Sequence, residues 1–116
     1  MRQSELRQQL QYELDAQIAI VDELVALEKD VGTRQPTLRE QTAGAAFLAQ
    51  FYTDIENILK RISYYRGVEL SVGNRWHVEL FERFCEPAYS GLPCLFDDEF
   101  AVEVAPFRRF RHVVYH

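Results

Sequence analysis

Apolar side chains recur at helical spacing through the first part of the chain. From Ser4 they follow one another by three or four positions, at Leu6, Leu10, Leu14, Ile18, Val21 and Val25. This period places them on one stripe of an α-helix, and most of the acidic residues of the segment fall off that stripe. Gly32 and Pro36 follow, so the helix is predicted to end near Asp30.

A second long helix is predicted to begin at the segment TLRE, residues 37–40. Thr37 and Glu40 have the spacing of a capping box, in which each side chain accepts a backbone amide of the other. The apolar positions behind it again step by three and four, at Phe47, Phe51, Ile55, Ile58 and Ile62. Gly67 is expected to end the helix near Arg66. Two long helices with a short connection between them predict an antiparallel pair.

The second half of the chain predicts shorter helices between loops. Residues 67–73 form a loop, and Asn74 is expected to cap a third helix that ends before Pro87. That helix carries the apolar residues Trp76, Leu80, Phe81 and Phe84. Residues 87–96 contain two prolines and a glycine and predict a structured loop.

Two further helices are predicted at the C-terminal end. Asp97 and Asp98 are expected to cap a short helix that runs to about Ala105. Pro106 suits the first turn of a last helix that begins at Phe107. No segment has a convincing strand pattern, so the fold class is predicted as all-α, an up-and-down bundle of four to five helices. Its length predicts a single domain, residues 1–116.

Composition restricts the class of protein. Hydrophobic residues make up 47% of the chain and charged residues 27%, an ordinary globular mixture. The net charge of −5 argues against broad coating of nucleic acid but allows a local basic site. Cys85 and Cys94 lack the spacing of a zinc site and are expected to be thiols. Residues 1–15 lack the apolar core of a signal peptide, and no apolar run could span a membrane, so a cytoplasmic protein is expected.

The basic and imidazole groups collect at the C-terminus, in FRRFRHVVYH, residues 107–116. Arg108, Arg109 and Arg111 could hold phosphates, because a guanidinium offers a planar fork of donors. His112 and His116 could transfer protons near neutral pH. A base, an acid and a cation suffice for RNA cleavage without a metal.

Less specific interpretations of these residues stay open. The cluster could be a solvated helix face, or its arginines could pair with acids of the first helix. His112 and His116 also have the spacing of zinc ligands on a helix, with His77 as a possible third. A catalytic metal is not expected, because no H-E-x-x-H sequence is present.

Two residues outside the cluster have a structural and a functional interpretation. Trp76 is expected in the core, with His77 hydrogen-bonded beside it, rather than as a stacking platform for RNA. Glu56 either orients an arginine of the cluster through a carboxylate–guanidinium pair or is a solvated helix position.

Three segments resemble one family. RHVVYH, residues 111–116, matches the R-x(4)-H signature of HEPN-domain ribonucleases, with a polar residue directly after the arginine. FYTDIENILKRI, residues 51–62, looks like the second-helix segment of the HepT-like branch of that superfamily. NRWHVELFERF, residues 74–84, is similar to a tryptophan–histidine segment of the same branch. Together the resemblance covers roughly residues 37–116.

The resemblance implies a fold, an activity and partners. The fold would be an all-α HEPN bundle, usually a homodimer that joins two motifs in one cleft. The activity would be metal-independent endoribonuclease action by a toxin, with RNA as substrate and no cofactor. The partner would be a minimal nucleotidyltransferase antitoxin. The motif arginine carries over to Arg111, its polar neighbour to His112 and the catalytic histidine to His116. Arg108 and Arg109 are expected to bind the substrate.

The sequence departs from the family after the motif. HepT-like proteins often continue as H-x-Y, where the antitoxin modifies the tyrosine with AMP. The sequence stops at His116, so we expect a domain shortened at its C-terminus. Tyr115 is not in the matching position, so AMP modification is not assigned to this chain. The alternative to the enzyme is an inactive helical module that binds a nucleotidyltransferase or nucleotides. A helical metalloprotein is the third hypothesis.

Overall fold

The computed structural model describes residues 2–103 and residue 105 of the chain. It contains α1 (Gln3–Val31), α2 (Leu38–Tyr65), α3 (Trp76–Glu82) and a fourth helical segment, α4, at residues 98–103 and 105. No strand occurs in these residues, so the predicted all-α class is confirmed. The last predicted helix, from Phe107, lies outside the described residues.

Helices α1 and α2 form the predicted antiparallel pair. A Cβ atom added to Gly44 would lie 3.4 Å from Leu27 Cδ2, so the helices approach closely near their connection. Gln17 Nε2 donates to the carbonyl oxygen of Phe51 at 3.4 Å. Farther along, Arg61 Nη2 lies 2.8 Å from Glu13 Oε1. Residues later in α2 therefore contact residues earlier in α1, as in an antiparallel pair.

The predicted capping box sets the start of α2. The amide of Glu40 donates to Thr37 Oγ1 at 3.2 Å, and the amide of Thr37 donates to Glu40 Oε1 at 2.9 Å. Arg34 Nη2 adds an ion pair to Glu40 Oε2 at 2.6 Å. The Arg34 guanidinium, with the Thr37 amide, lowers the pKa of Glu40 to about 2. At the other end Gly67 takes a φ of 69°, a left-handed conformation that ends the helix.

Helix α3 is shorter than the sequence predicts. Its N-cap is Arg75 rather than Asn74, which lies in the preceding turn. Phe84 was predicted on the helix but lies beyond its end. The Phe84 carbonyl oxygen accepts hydrogen bonds from the amides of Leu95 and Phe96, at 2.9 and 3.1 Å. The loop amides thus bond to the Phe84 carbonyl oxygen, which would have accepted a helical amide if α3 had continued.

The main core lies between α2, α3 and the loop that follows α3. Its buried apolar residues are Tyr52, Ile55, Leu59, Leu80, Phe81, Phe84, Cys85 and Leu92. The Phe81 ring stacks on Phe96 at 4.9 Å between centroids, and Phe96 stacks on Phe100 at 5.0 Å. Asp97 Oδ1 accepts the amide of Phe100 at 2.7 Å and caps α4, as predicted.

The apolar stripe predicted on α1 does not face α2 along its length. Leu6 is buried, whereas Leu14, Ile18, Val21 and Val25 are 43, 58, 39 and 56% exposed. The side of α1 that meets α2 carries a second set of apolar residues, Leu10, Ile20, Leu24 and Leu27, which are half-buried, and the buried Glu13 lies among them. An apolar stripe ordinarily marks the core side of a helix, so this one is left without a covering element in the described residues.

Cys85 is buried and Cys94 exposed, and they form no disulfide, as predicted. None of the helices in the described part of the chain has the length and apolar character needed to cross a membrane.

Candidate functional site

The residues predicted to carry chemistry lie beyond the part of the chain that the structure describes. They are Arg108, Arg109, Arg111, His112 and His116. Their assignment stays a prediction. The described residues include the two polar side chains that the sequence singled out outside this cluster, Glu56 on α2 and His77 on α3.

Glu56 is a carboxylate inside the protein. It is 1% exposed, and it lies on the α2 stripe that also carries Tyr52, Leu59 and Ser63, all buried. Tyr52 and Leu59 belong to the core shared with α3. The interpretation of Glu56 as a solvated helix position is therefore wrong. Glu56 makes at least one interaction beyond the described hydrogen bonds and ion pairs, as a buried carboxylate requires.

His77 and Trp76 open α3 at the edge of this core. His77 is 7% exposed, and the Trp76 ring meets its imidazole edge-on at 5.6 Å between centroids. Trp76 is partly buried, and the Lys60 ammonium lies 4.6 Å from the centroid of its ring. One face of Trp76 is therefore occupied by a cation. This geometry agrees with a packing role for Trp76 rather than a stacking platform for RNA.

A second polar cluster lies on the opposite side of α2, against α1. Arg61 donates to Glu13 Oε1 through both Nε and Nη2, at 3.1 and 2.8 Å. Asp54 is 2% exposed, and its Oδ1 accepts from Gln50 Nε2 at 3.0 Å. Asp54 Oδ2 accepts no hydrogen bond from the described residues. Burial raises the pKa of Asp54; the Gln50 bond opposes the rise, and the negative charge of Glu13 adds to it.

The raised pKa of Asp54 predicts a pH-dependent stability. A carboxyl group with a raised folded-state pKa supports folding at low pH, and that support is lost as the pH rises through the folded pKa. The amide side chain of the Asp54→Asn variant cannot ionise. The unfolding free energy of this variant minus that of the parent should therefore be larger at about pH 7 than at about pH 4.

Urea denaturation at both pH values measures this change. Asp22→Asn, on the exposed face of α1, is the matched control and should show a much smaller pH dependence. An equal effect of Asp54→Asn at the two pH values would contradict the assignment of a burial-driven shift.

The α1–α2 cluster was missed from the sequence. Arg61 and Glu13 are 48 residues apart, so no local pattern connects them. Glu13 lies seven positions after Leu6 and so shares a helix face with it, but only knowledge of which face of α1 meets α2 would have revealed that Glu13 is buried.

The described residues contain no group of three metal-ligating side chains. His77 is within this part of the chain, whereas His112 and His116 are outside it, so the three-histidine hypothesis gains no support from the described geometry. The predicted absence of a cofactor is not tested by it.

A model of a known protein family matches more than half of the chain. Residues 43–116 match the family model described as HepT-like protein. No curated protein matches the chain, and no solved structure matches it. The matched range begins in the second turn of α2, includes α3 and the following loop, and extends through RHVVYH.

Proposed function

Because the chain belongs to the HepT-like family of the HEPN superfamily, we propose that it is a metal-independent endoribonuclease and the toxin of a toxin–antitoxin pair. One observation carries the proposal: the matched range includes the R-x(4)-H sequence at residues 111–116. The all-helical architecture is consistent with it. In this proposal two copies form the active dimer, and a minimal nucleotidyltransferase is the antitoxin.

The proposed reaction is an intramolecular phosphoryl transfer, in which the ribose 2′-OH displaces the 5′ oxygen of the next nucleotide. One imidazole, His116 or His112, takes the proton of the ribose 2′-OH, and the 2′ oxygen attacks phosphorus. Arg111 stabilises the additional negative charge on the phosphorane. The bond to the 5′ oxygen breaks as the other imidazole protonates it, which leaves a 2′,3′-cyclic phosphate. Arg108 and Arg109 bind neighbouring phosphates of the RNA.

Glu56 is proposed to hold Arg111 in place. A buried carboxylate is tolerated when a cation or several donors compensate it. Two cations of α2 already have other contacts: Arg61 pairs with Glu13 on the opposite side of the helix, and Lys60 lies over the Trp76 ring. Arg111 is the motif cation, and its guanidinium offers a two-pronged partner for a carboxylate. Glu56 would thus be a positioning residue that does not touch the RNA.

Pairing of two chains would also account for the charge pattern. The basic stretch of one chain is short, and the protein as a whole is acidic. Two such stretches in one cleft would produce a local positive potential sufficient to attract a phosphate backbone.

The proposal predicts cleavage of a labelled single-stranded RNA by the purified chain in EDTA. The 5′ product should carry a 2′,3′-cyclic phosphate end, which acid hydrolysis and phosphatase treatment identify. A matched RNA with 2′-O-methyl groups throughout is the control and should stay intact, because it lacks the nucleophile. Absence of cleavage of the unmodified RNA would contradict the enzyme and favour the inactive helical module.

A further inference from the structure

The exposed side of α1 has the form of a binding surface. Four apolar side chains, Leu14, Ile18, Val21 and Val25, are spaced by four, three and four positions and are between 39 and 58% exposed. This is the spacing of a seam at which a second helix packs. From Leu14 to Val25 the seam covers about 16 Å, three helical turns.

A groove continues the seam toward α2. It has a volume of about 500 Å³ and is lined by Val21 and Val25 of α1 and by Leu48 of α2, with Pro36 at the connection. A helix laid along the seam would place its inner side chains over this groove. The result would be a three-helix arrangement, the usual way in which a two-helix pair buries an open apolar face.

The charges around the seam define the partner. Asp15 and Asp22 follow Leu14 and Val21 directly in sequence and so lie along one edge of the seam. Glu28 and Glu40 line the groove on its other side, and Glu40 is already paired with Arg34.

Helix α1 as a whole is strongly acidic. It holds seven acidic residues, Glu5, Glu13, Asp15, Asp22, Glu23, Glu28 and Asp30, against two basic ones, Arg7 and Lys29. Its net charge of −5 equals that of the entire chain, and the remaining sequence has eleven residues of each sign. Over the whole sequence the charges outside α1 therefore balance in number, and α1 is the most acidic helix of the described residues.

We propose that this surface, the α1 seam with its acidic edge, binds a basic amphipathic helix of another protein. The partner helix would present apolar residues to the seam and groove, and Lys or Arg to Asp15 and Asp22. A second copy of α1 fits poorly, because an antiparallel pair would set the Asp15 and Asp22 edges against each other and join two helices of charge −5. The proposal does not depend on the proposed ribonuclease activity.

The test uses the full chain and a fluorescent peptide of about 18 residues, five helical turns, with Leu at the seam positions and Lys beside them. Its matched control has Glu in place of every Lys. We expect saturable one-to-one binding of the Lys peptide, measured by fluorescence anisotropy, and weaker binding as salt increases. The Glu peptide should bind at least about 10-fold more weakly.

Variants locate the site. The double variant Ile18→Ser with Val25→Ser should weaken binding at least about 10-fold through lost apolar contact. Asp15→Asn with Asp22→Asn should weaken it about 5-fold and reduce its salt dependence. Val72→Ser is the matched control, because Val72 is 92% exposed and lies on a loop away from the seam. RNA cleavage, assayed in parallel, should be unchanged in all three.

Results of three kinds would overturn the proposal. The first is no saturable binding of the Lys peptide. The second is equal binding of both peptides, or binding that the Ile18 and Val25 substitutions leave unchanged. The third is a dimer of the parent chain that dissociates on those substitutions, seen by analytical ultracentrifugation, because a second copy would then occupy the seam.

Discussion

RNA cleavage by His116→Ala is expected to be about 10²- to 10⁴-fold slower than cleavage by the parent chain, the usual contribution of a general acid or base. Arg111→Ala should be slower by about 10²- to 10³-fold, because the charge on the phosphorane would lose its preorganised donor. Initial rates with a short fluorogenic RNA in EDTA measure both. These losses rest on the proposed motif and are among the largest single-residue effects that we expect in this protein.

Two further variants separate chemistry from folding. Imidazole added to His116→Ala should restore part of the rate, since it can supply the missing proton-transfer group. Arg111→Lys keeps the charge but loses the two-pronged donor, so we expect only partial activity. Arg39→Ala, an exposed arginine in the first turn of α2, is the matched control and should retain the parent rate. Full activity of folded His116→Ala would exclude the proposed mechanism.

The second large effect concerns stability. Glu56→Gln should lower the unfolding free energy by about 3–5 kcal/mol, because it would remove one partner of the proposed buried ion pair with Arg111 and leave the other charge uncompensated. Such a loss is a large fraction of the stability of a domain of this size. Urea denaturation followed by circular dichroism measures it. Glu82→Gln is the matched control, since that side chain is 59% exposed on α3.

A double-mutant cycle identifies the partner and remains informative if Glu56→Gln unfolds. Arg111→Met with Glu56→Gln removes both charges, and we expect this chain to be more stable than Glu56→Gln alone. Additive effects of the two substitutions would show that Glu56 does not pair with Arg111. Cleavage by Glu56→Gln, where it folds, should fall while its substrate affinity changes little, as befits a positioning residue.

Local patterns in the sequence predicted the ends of α2 better than the faces of α1. Thr37, Glu40 and Gly67 act through neighbours within a few positions, so their motifs predict the limits of α2 directly. The apolar stripe of α1 was visible too, but a helix with two usable faces does not reveal which one meets its neighbour. The core-facing side of α1 contains Glu13 and Gln17, whose partners Arg61 and Phe51 are distant in sequence.

For the candidate site, too, local sequence patterns were informative and long-range packing was not predictable. The burial of Glu56 depends on the packing of α3 and its loop over α2, which no spacing within α2 reveals. The end of α3 was misplaced for a related reason, because the Phe84 carbonyl group bonds to a loop that returns from residues 95 and 96. The motif residues themselves were recognisable by their order and type, which is the information that a family model also uses.

The one-sided charge of α1 has a consequence for how the protein meets other molecules in solution. Arg61 and Asp54 place α1 on one side of α2, and Tyr52 and Leu59 place α3 on the other. A strongly acidic helix on one side of a protein orients that protein in the field of an approaching polyelectrolyte. A polyanion would be turned away from α1, and a polycation would be drawn to it. Encounters with a basic protein would thus be favoured at α1, and encounters with a polyanion would be disfavoured there.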